Sequence, residues 1–144
     1  MAGKLEALEL WRSVLVTSVR QAGPDLTARQ LALLLTVYLT APPHTVRGLA
    51  LALAVSKPAI SRALDRLGRL GFLKRKRDEA DRRNVLIQRT VKGSVYLTEF
   101  SYLVEAARLG QLRVDGSPSI APRPEGEPRP VVLAGNEHQA GSSD

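Results

Sequence analysis

Residues 44–91 read HTVRGLALALAVSKPAISRALDRLGRLGFLKRKRDEADRRNVLIQRTV. Thr45 can cap a short helix from Val46 to about Ala52 that buries Leu49, Ala50 and Leu53. The turn Leu53-Ala54-Val55 is built of small and apolar residues, which lets two helices approach closely at a steep angle. Ser56 is a good N-cap, and Pro58 sits in the first turn, where a missing N–H costs nothing, so a second helix starts at about Lys57. Ile60, Ala63, Leu64, Leu67 and Leu70 repeat at spacings of three and four and form one buried stripe. Lys57, Ser61, Arg62, Asp65, Arg66 and Arg69 fall on the opposite face, and Gly71 can take the left-handed conformation that ends a helix. Phe72–Lys76 and Asn84–Arg89 then read as two short strands around the charged loop Arg77–Arg83.

Two helices joined by a tight turn and followed by such a hairpin make a winged helix-turn-helix. The expected class is mainly α (α+β), with flanking N- and C-terminal helices. A steep crossing leaves the second helix projecting, so that its polar face can enter a DNA major groove while the hairpin reaches sideways. Charge agrees with this placement. The chain carries 21 Lys and Arg against 14 Asp and Glu, a net charge of +7. Residues 46–92 alone hold 13 basic and 4 acidic side chains, whereas the segments on either side are close to neutral or slightly acidic. The basic excess therefore sits on the stretch that pattern marks as a nucleic-acid reader.

Outside this stretch, a first helix is expected over residues 4–22, with Leu5, Leu8, Trp11, Leu15 and Val19 as an apolar stripe widened by Val14 and Val16. It reads either as a core helix or as one that also makes a subunit contact. Gly23-Pro24 stops it, and Asp25 and Thr27 offer caps for a second helix from Ala28 to about Thr40, with Leu31, Leu34, Leu35, Tyr38 and Leu39 on a broad apolar face. After the hairpin, Thr90 can cap a last helix from Val91 to about Leu109, ended by Gly110. Val91, Val95, Tyr96, Phe100, Leu103, Val104 and Ala107 are too many apolar positions for one stripe, so this helix should bury two sides, one of them against a second copy of the chain. The chain thus divides into a domain over 1–110, with the reading part at about 27–90 and dimerisation helices at about 4–22 and 91–109, and a tail over 111–144. That tail holds five of the nine prolines, shows no useful periodicity and is expected to be disordered.

Cysteine is absent, so no disulfide or thiolate chemistry is available. The N-terminus does not resemble a signal peptide and no run of apolar residues is long enough to span a bilayer, so a cytoplasmic protein is expected. The two histidines, His44 in a loop and His138 in the tail, do not make a metal site, which needs three or four converging ligands. With no paired carboxylates on a common buried face and no glycine-rich phosphate loop, the reading is not an enzyme and needs no cofactor.

The candidate contacts follow from geometry. Arg62 can reach guanine O6 and N7 bidentately, Lys57 and Ser61 can meet phosphates or base edges, and Ser56 caps the positive end of the helix dipole. In the hairpin, Arg82 is the first choice for a narrow minor groove, with Asp81 holding its guanidinium, while Lys74, Arg75, Lys76 and Arg77 follow phosphates.

The run LTARQLALLL at 26–35, SKPAISRALDRLGRLGFL at Ser56–Leu73 and DEADRRNVLIQRTVKG at Asp78–Gly93 resemble the multiple antibiotic resistance regulator (MarR) family of winged helix-turn-helix transcription regulators. The resemblance covers about residues 5–109. It implies a homodimer, most often a repressor, whose recognition helices enter successive major grooves of a pseudo-palindromic double-stranded DNA site. Carried onto this sequence, the family's DNA contacts fall on Ser56, Lys57, Pro58, Ser61 and Arg62 in the helix and on Asp81, Arg82 and Arg83 in the hairpin. Many members also bind small phenolic or aromatic effectors, for which no polar constellation stands out here. The family usually adds a sixth helix to its dimerisation region, where this chain has Gly110 and a proline-rich run. The competing reading is a winged-helix module or adaptor that binds another protein without sequence-specific DNA binding.

Overall fold

The computed structural model describes residues 2–112. The elements in order are α1 (Ala2–Arg20), α2 (Ala28–Leu39), α3 (Val46–Leu53), α4 (Lys57–Arg69), β1 (Leu73–Arg77), β2 (Val85–Arg89) and α5 (Val91–Arg108). The expected fold class holds, and each expected helix is present with ends displaced by at most two residues. The tail from residue 113 on, with the expectation of disorder attached to it, lies outside the described residues.

Contacts divide the chain into two units. Leu26–Leu97 form one, and among the described residues α1 and residues 98–112 belong to the other. The first unit begins one residue before the expected reading part and extends past residue 90 to take in the first two turns of α5.

Local rules start each helix of the Leu26–Leu97 unit. Thr27 makes a full capping box with Gln30: its hydroxyl accepts from the Gln30 amide at 3.1 Å, and the Gln30 side chain accepts from the Thr27 amide at 3.0 Å. Thr45 accepts from the Gly48 amide at 3.0 Å, and Thr90 does the same for Gly93 at 3.0 Å. Between α3 and α4, Ala54 takes the left-handed conformation (φ 52°, ψ 44°), which turns the chain within three residues.

The core of this unit is Leu33, Leu34 and Val37 of α2, Leu49 and Ala50 of α3, Ile60, Ala63, Leu64 and Leu67 of α4, and Phe72, Leu73 and Ile87 at the hairpin. Full burial of one such aliphatic side chain contributes about 1.5–3 kcal/mol. The face of α2 differs from the one expected: Leu33, omitted from the sequence reading, is fully buried, whereas Leu39 is exposed. Leu39 lies two residues past Val37, so the 3.6-residue repeat carries it to the side of α2 opposite Leu33, Leu34 and Val37.

β1 and β2 pair antiparallel, with Leu73 opposite Arg89, Arg75 opposite Ile87 and Arg77 opposite Val85. Beside them, the Ile87 amide donates to the His44 carbonyl at 2.8 Å and Thr45 forms an isolated bridge to Leu86, so the segment before α3 extends the hairpin by one short pairing. The Tyr38 hydroxyl fastens the hairpin base. It accepts from the Thr90 amide at 2.9 Å and lies 2.8 Å from the Phe72 carbonyl and 3.0 Å from the Thr90 carbonyl, towards which it donates. Gly93 makes room for this: a Cβ there would lie 2.1 Å from the Tyr38 Oη and 2.3 Å from the Phe72 oxygen. Arg89 closes the end of α2 by donating to the Val37 and Thr40 carbonyls, each at 3.0 Å.

In the other unit, the expected core stripe of α1 is not a core. Leu5, Leu8, Trp11, Leu15 and Val19 are 50–66% exposed, while Ser13, Val14 and Thr17, on a different face, are buried. Of the two expectations for α1, burial of this stripe within the chain is the one overturned.

Candidate nucleic-acid interface

The buried stripe of α4 decides which side chains face outward. Ile60, Ala63, Leu64 and Leu67 point into the core, so Lys57, Pro58 and Arg62 are exposed and Ser61 is half-buried at the edge of the stripe. At the helix start the Ser56 hydroxyl accepts from the Ala59 amide at 3.4 Å, Pro58 lies in the first turn, and no carboxylate occupies that turn. The positive end of the helix dipole therefore has no carboxylate of its own first turn to offset it. Among the described residues, neither Lys57 nor Arg62 makes an ion pair.

The hairpin tip is shaped by two aspartates. Asp78 accepts from the Ala80 amide at 3.0 Å, and Asp81 accepts from the Arg83 amide at 3.1 Å, while the Asp81 carbonyl accepts from the Asn84 amide at 3.0 Å. These are side-chain-to-backbone turns of the kind aspartate favours. Asp81 was expected to hold the Arg82 guanidinium and instead holds the backbone, because an amide two residues on lies within reach of its short side chain. Arg82 and Arg83 are exposed and make no ion pair among the described residues. Lys74, Lys76 and Arg77 are exposed along β1.

Arg75 departs from the expectation set for it. Its Nη1 lies 2.6 Å from an Asp65 carboxylate oxygen and its Nη2 donates to the Ser61 carbonyl at 3.2 Å, so it is bound to α4. The sequence reading grouped it with its basic neighbours. Strand alternation was the available signal, since Arg75 shares the face of the buried Leu73. Between α4 and β1 an open groove of ≈ 490 Å³ is lined by Leu64, Asp65, Gly68, Arg69, Lys74 and Arg75 among others. His44 contributes to the fold, through its carbonyl to Ile87 and its ring Nε2 3.2 Å from the Thr40 carbonyl.

The carboxyls held below their usual range are elsewhere: hydrogen bonding from Arg12 lowers Glu9, and hydrogen bonding from Arg108 lowers Glu105. Both pairs are exposed and lie in the unit that contains α1. Among the described residues no group of three or more His, Asp or Glu side chains is placed to hold a metal, and no helix is long and apolar enough to cross a membrane.

The sequence model of the MarR family matches residues 26–85, which span α2 through the first residue of β2. Over these residues the chain is similar to the MarR family. The expected resemblance is thereby met on the reading unit. Solved structures with the MarR fold extend it. The crystal structure of MarR matches at 27% identity over 80% of this chain and 86% of that one, with a TM-score of 0.54. A transcriptional regulator from Thermotoga maritima matches at 27% identity with a TM-score of 0.54, over 58% of each chain, so this chain spans a little over half of that protein's length. YusO from Bacillus subtilis shares the fold at 22% identity over 74% of each chain, with a TM-score of 0.62. No curated protein matches the sequence.

Proposed function

We propose that this chain is a cytoplasmic, sequence-specific double-stranded DNA-binding transcription regulator, acting as a repressor from a pseudo-palindromic site that it binds as a homodimer. The observation that carries the reading is the set of outward cations without ion pairs among the described residues, Lys57 and Arg62 on α4 and Arg82 and Arg83 at the hairpin tip, in a segment that matches the MarR family. Phosphate contacts from Lys57, Lys74, Lys76 and Arg77 supply salt-dependent affinity and fix register, Arg62 and Ser61 read base edges, and the hairpin tip enters the minor groove. Ser56 and Pro58 bring the helix start close to the backbone, and Asp81 shapes the tip. Dimerisation is supported by the α1 stripe, whose five large apolar side chains are at least half exposed in a single chain.

Selection of bound fragments from sheared genomic DNA tests this. The expected result is one recurrent, two-fold-related sequence whose affinity falls steeply with salt. Fragments without a shared sequence, together with salt-insensitive retention, would favour the protein-adaptor reading.

A further inference from the structure

We propose that Arg75 is a positioning residue that locks the wing hairpin to the recognition helix, and that Asp65 is its acidic anchor; the role rests on the DNA-reading function above. β1 begins with Leu73 docked in the core, and two residues on, the same face presents Arg75 to α4. Ser61 and Asp65 stand one helical turn apart, and the guanidinium takes one from each: the Asp65 carboxylate at 2.6 Å and the Ser61 carbonyl at 3.2 Å. Two fixed points on one rigid helix define a direction as well as a distance. β2 is tied at the buried Ile87 and to the His44–Thr45 segment, whereas beyond Leu73 the β1 residues are all exposed, so Arg75 gives β1 its own tie to α4 and with it sets the angle at which the tip leaves the helix.

Stability is not the main product of this contact. The two side chains are 41% and 49% exposed, and ion pairs so open to water contribute little to folding. The effect is on where Arg82 and Arg83 arrive when α4 is seated in its groove. A second feature separates bracing from direct contact. Asp65 is an acidic residue on the same helix face as Arg62, where it should repel phosphate, yet it is spent on Arg75.

The full-length chain and the fragment recovered by selection provide the test, by competition titration of Asp65→Asn, Arg75→Lys and Arg75→Ala. Asp65→Asn removes a negative charge from the DNA-facing side, so electrostatics alone raises affinity, whereas loss of the brace lowers it, here by about tenfold. Arg75→Lys keeps the charge that a phosphate contact needs but loses the two-pronged geometry, and should fall with Arg75→Ala. In a background of Arg82→Ala and Arg83→Ala the Asp65→Asn loss should shrink to less than about twofold, because there is no longer a tip to aim. Asp65→Asn binding as well as or better than the unaltered chain, Arg75→Lys retaining full affinity, or an undiminished loss without the tip arginines would each overturn the proposal. Whether the unaltered chain binds a recurrent site at all is read first, and failure there would count against the DNA-reading function itself. Asp65→Asn is nearly isosteric, and an unchanged thermal midpoint separates a lost brace from a lost fold.

Discussion

The α4 stripe and the α1 stripe look alike as patterns and end in opposite environments. Ile60, Ala63, Leu64 and Leu67 are sealed within the Leu26–Leu97 unit, whereas Leu5, Leu8, Trp11, Leu15 and Val19 remain largely open to solvent. An apolar repeat at spacings of three and four reports that a helix face will be covered, not what covers it. The rest of the circumference separates the two. Around α4 the other positions are charged, polar or small apart from Pro58, which leaves one direction for burial. Around α1, Ser13, Val14 and Thr17 make a second face of small side chains, and that is the face buried in the single chain. The Leu26–Leu97 unit is self-sufficient in covering its α4 stripe, and the α1 face is the one that the proposed dimer would cover.

The largest expected effect strikes the self-sufficient half. Gly93→Ala would set a methyl 2.1 Å from the Tyr38 hydroxyl and 2.3 Å from the Phe72 carbonyl, breaking the bonds that hold the hairpin base. A loss of about 3 kcal/mol is expected in denaturant unfolding; an unchanged midpoint would mean that the Tyr38 junction is slack. Next comes Trp11→Arg, which should weaken dimerisation by about 2 kcal/mol while amide exchange in α2–α4 stays protected. Light scattering that shows the same dimer at the same concentrations would erase the contrast between the two stripes. Arg62→Ala is expected to cost about 1–3 kcal/mol on the selected site and to relax one base position. Equal losses on selected and random DNA would take Arg62 out of base reading. Smallest is Lys76→Ala, which should weaken all sequences alike and reduce the salt slope by about 1.

Much of this was legible in the sequence because local chemistry and tertiary fate agree there. Thr27, Thr45, Ser56 and Thr90 cap where their side chains allow, and the α4 stripe is buried as its spacing requires. Among the expectations that failed, those for Leu33 and Arg75 depend on partners on other elements, and that for Asp81 on a nearby backbone donor. Leu33 is buried because α2 packs on two other helices, Asp81 turned to a backbone amide two residues away, and Arg75 met a carboxylate ten residues earlier in the chain. Long-range junctions of this kind, including Tyr38 to Thr90 across 52 positions, leave no periodic trace.

The central claim is that an outward cationic helix and an arginine-tipped hairpin engage one duplex together. Its most direct test is a salt titration of the affinity of the full chain for the selected fragment and for a scrambled fragment of equal length. The account predicts a steep linear fall of log affinity with log salt on both, with a slope that reports several phosphate contacts, and a preference of at least about 10³ for the selected sequence at physiological salt. A shallow slope, or equal affinity for the two fragments, would contradict it.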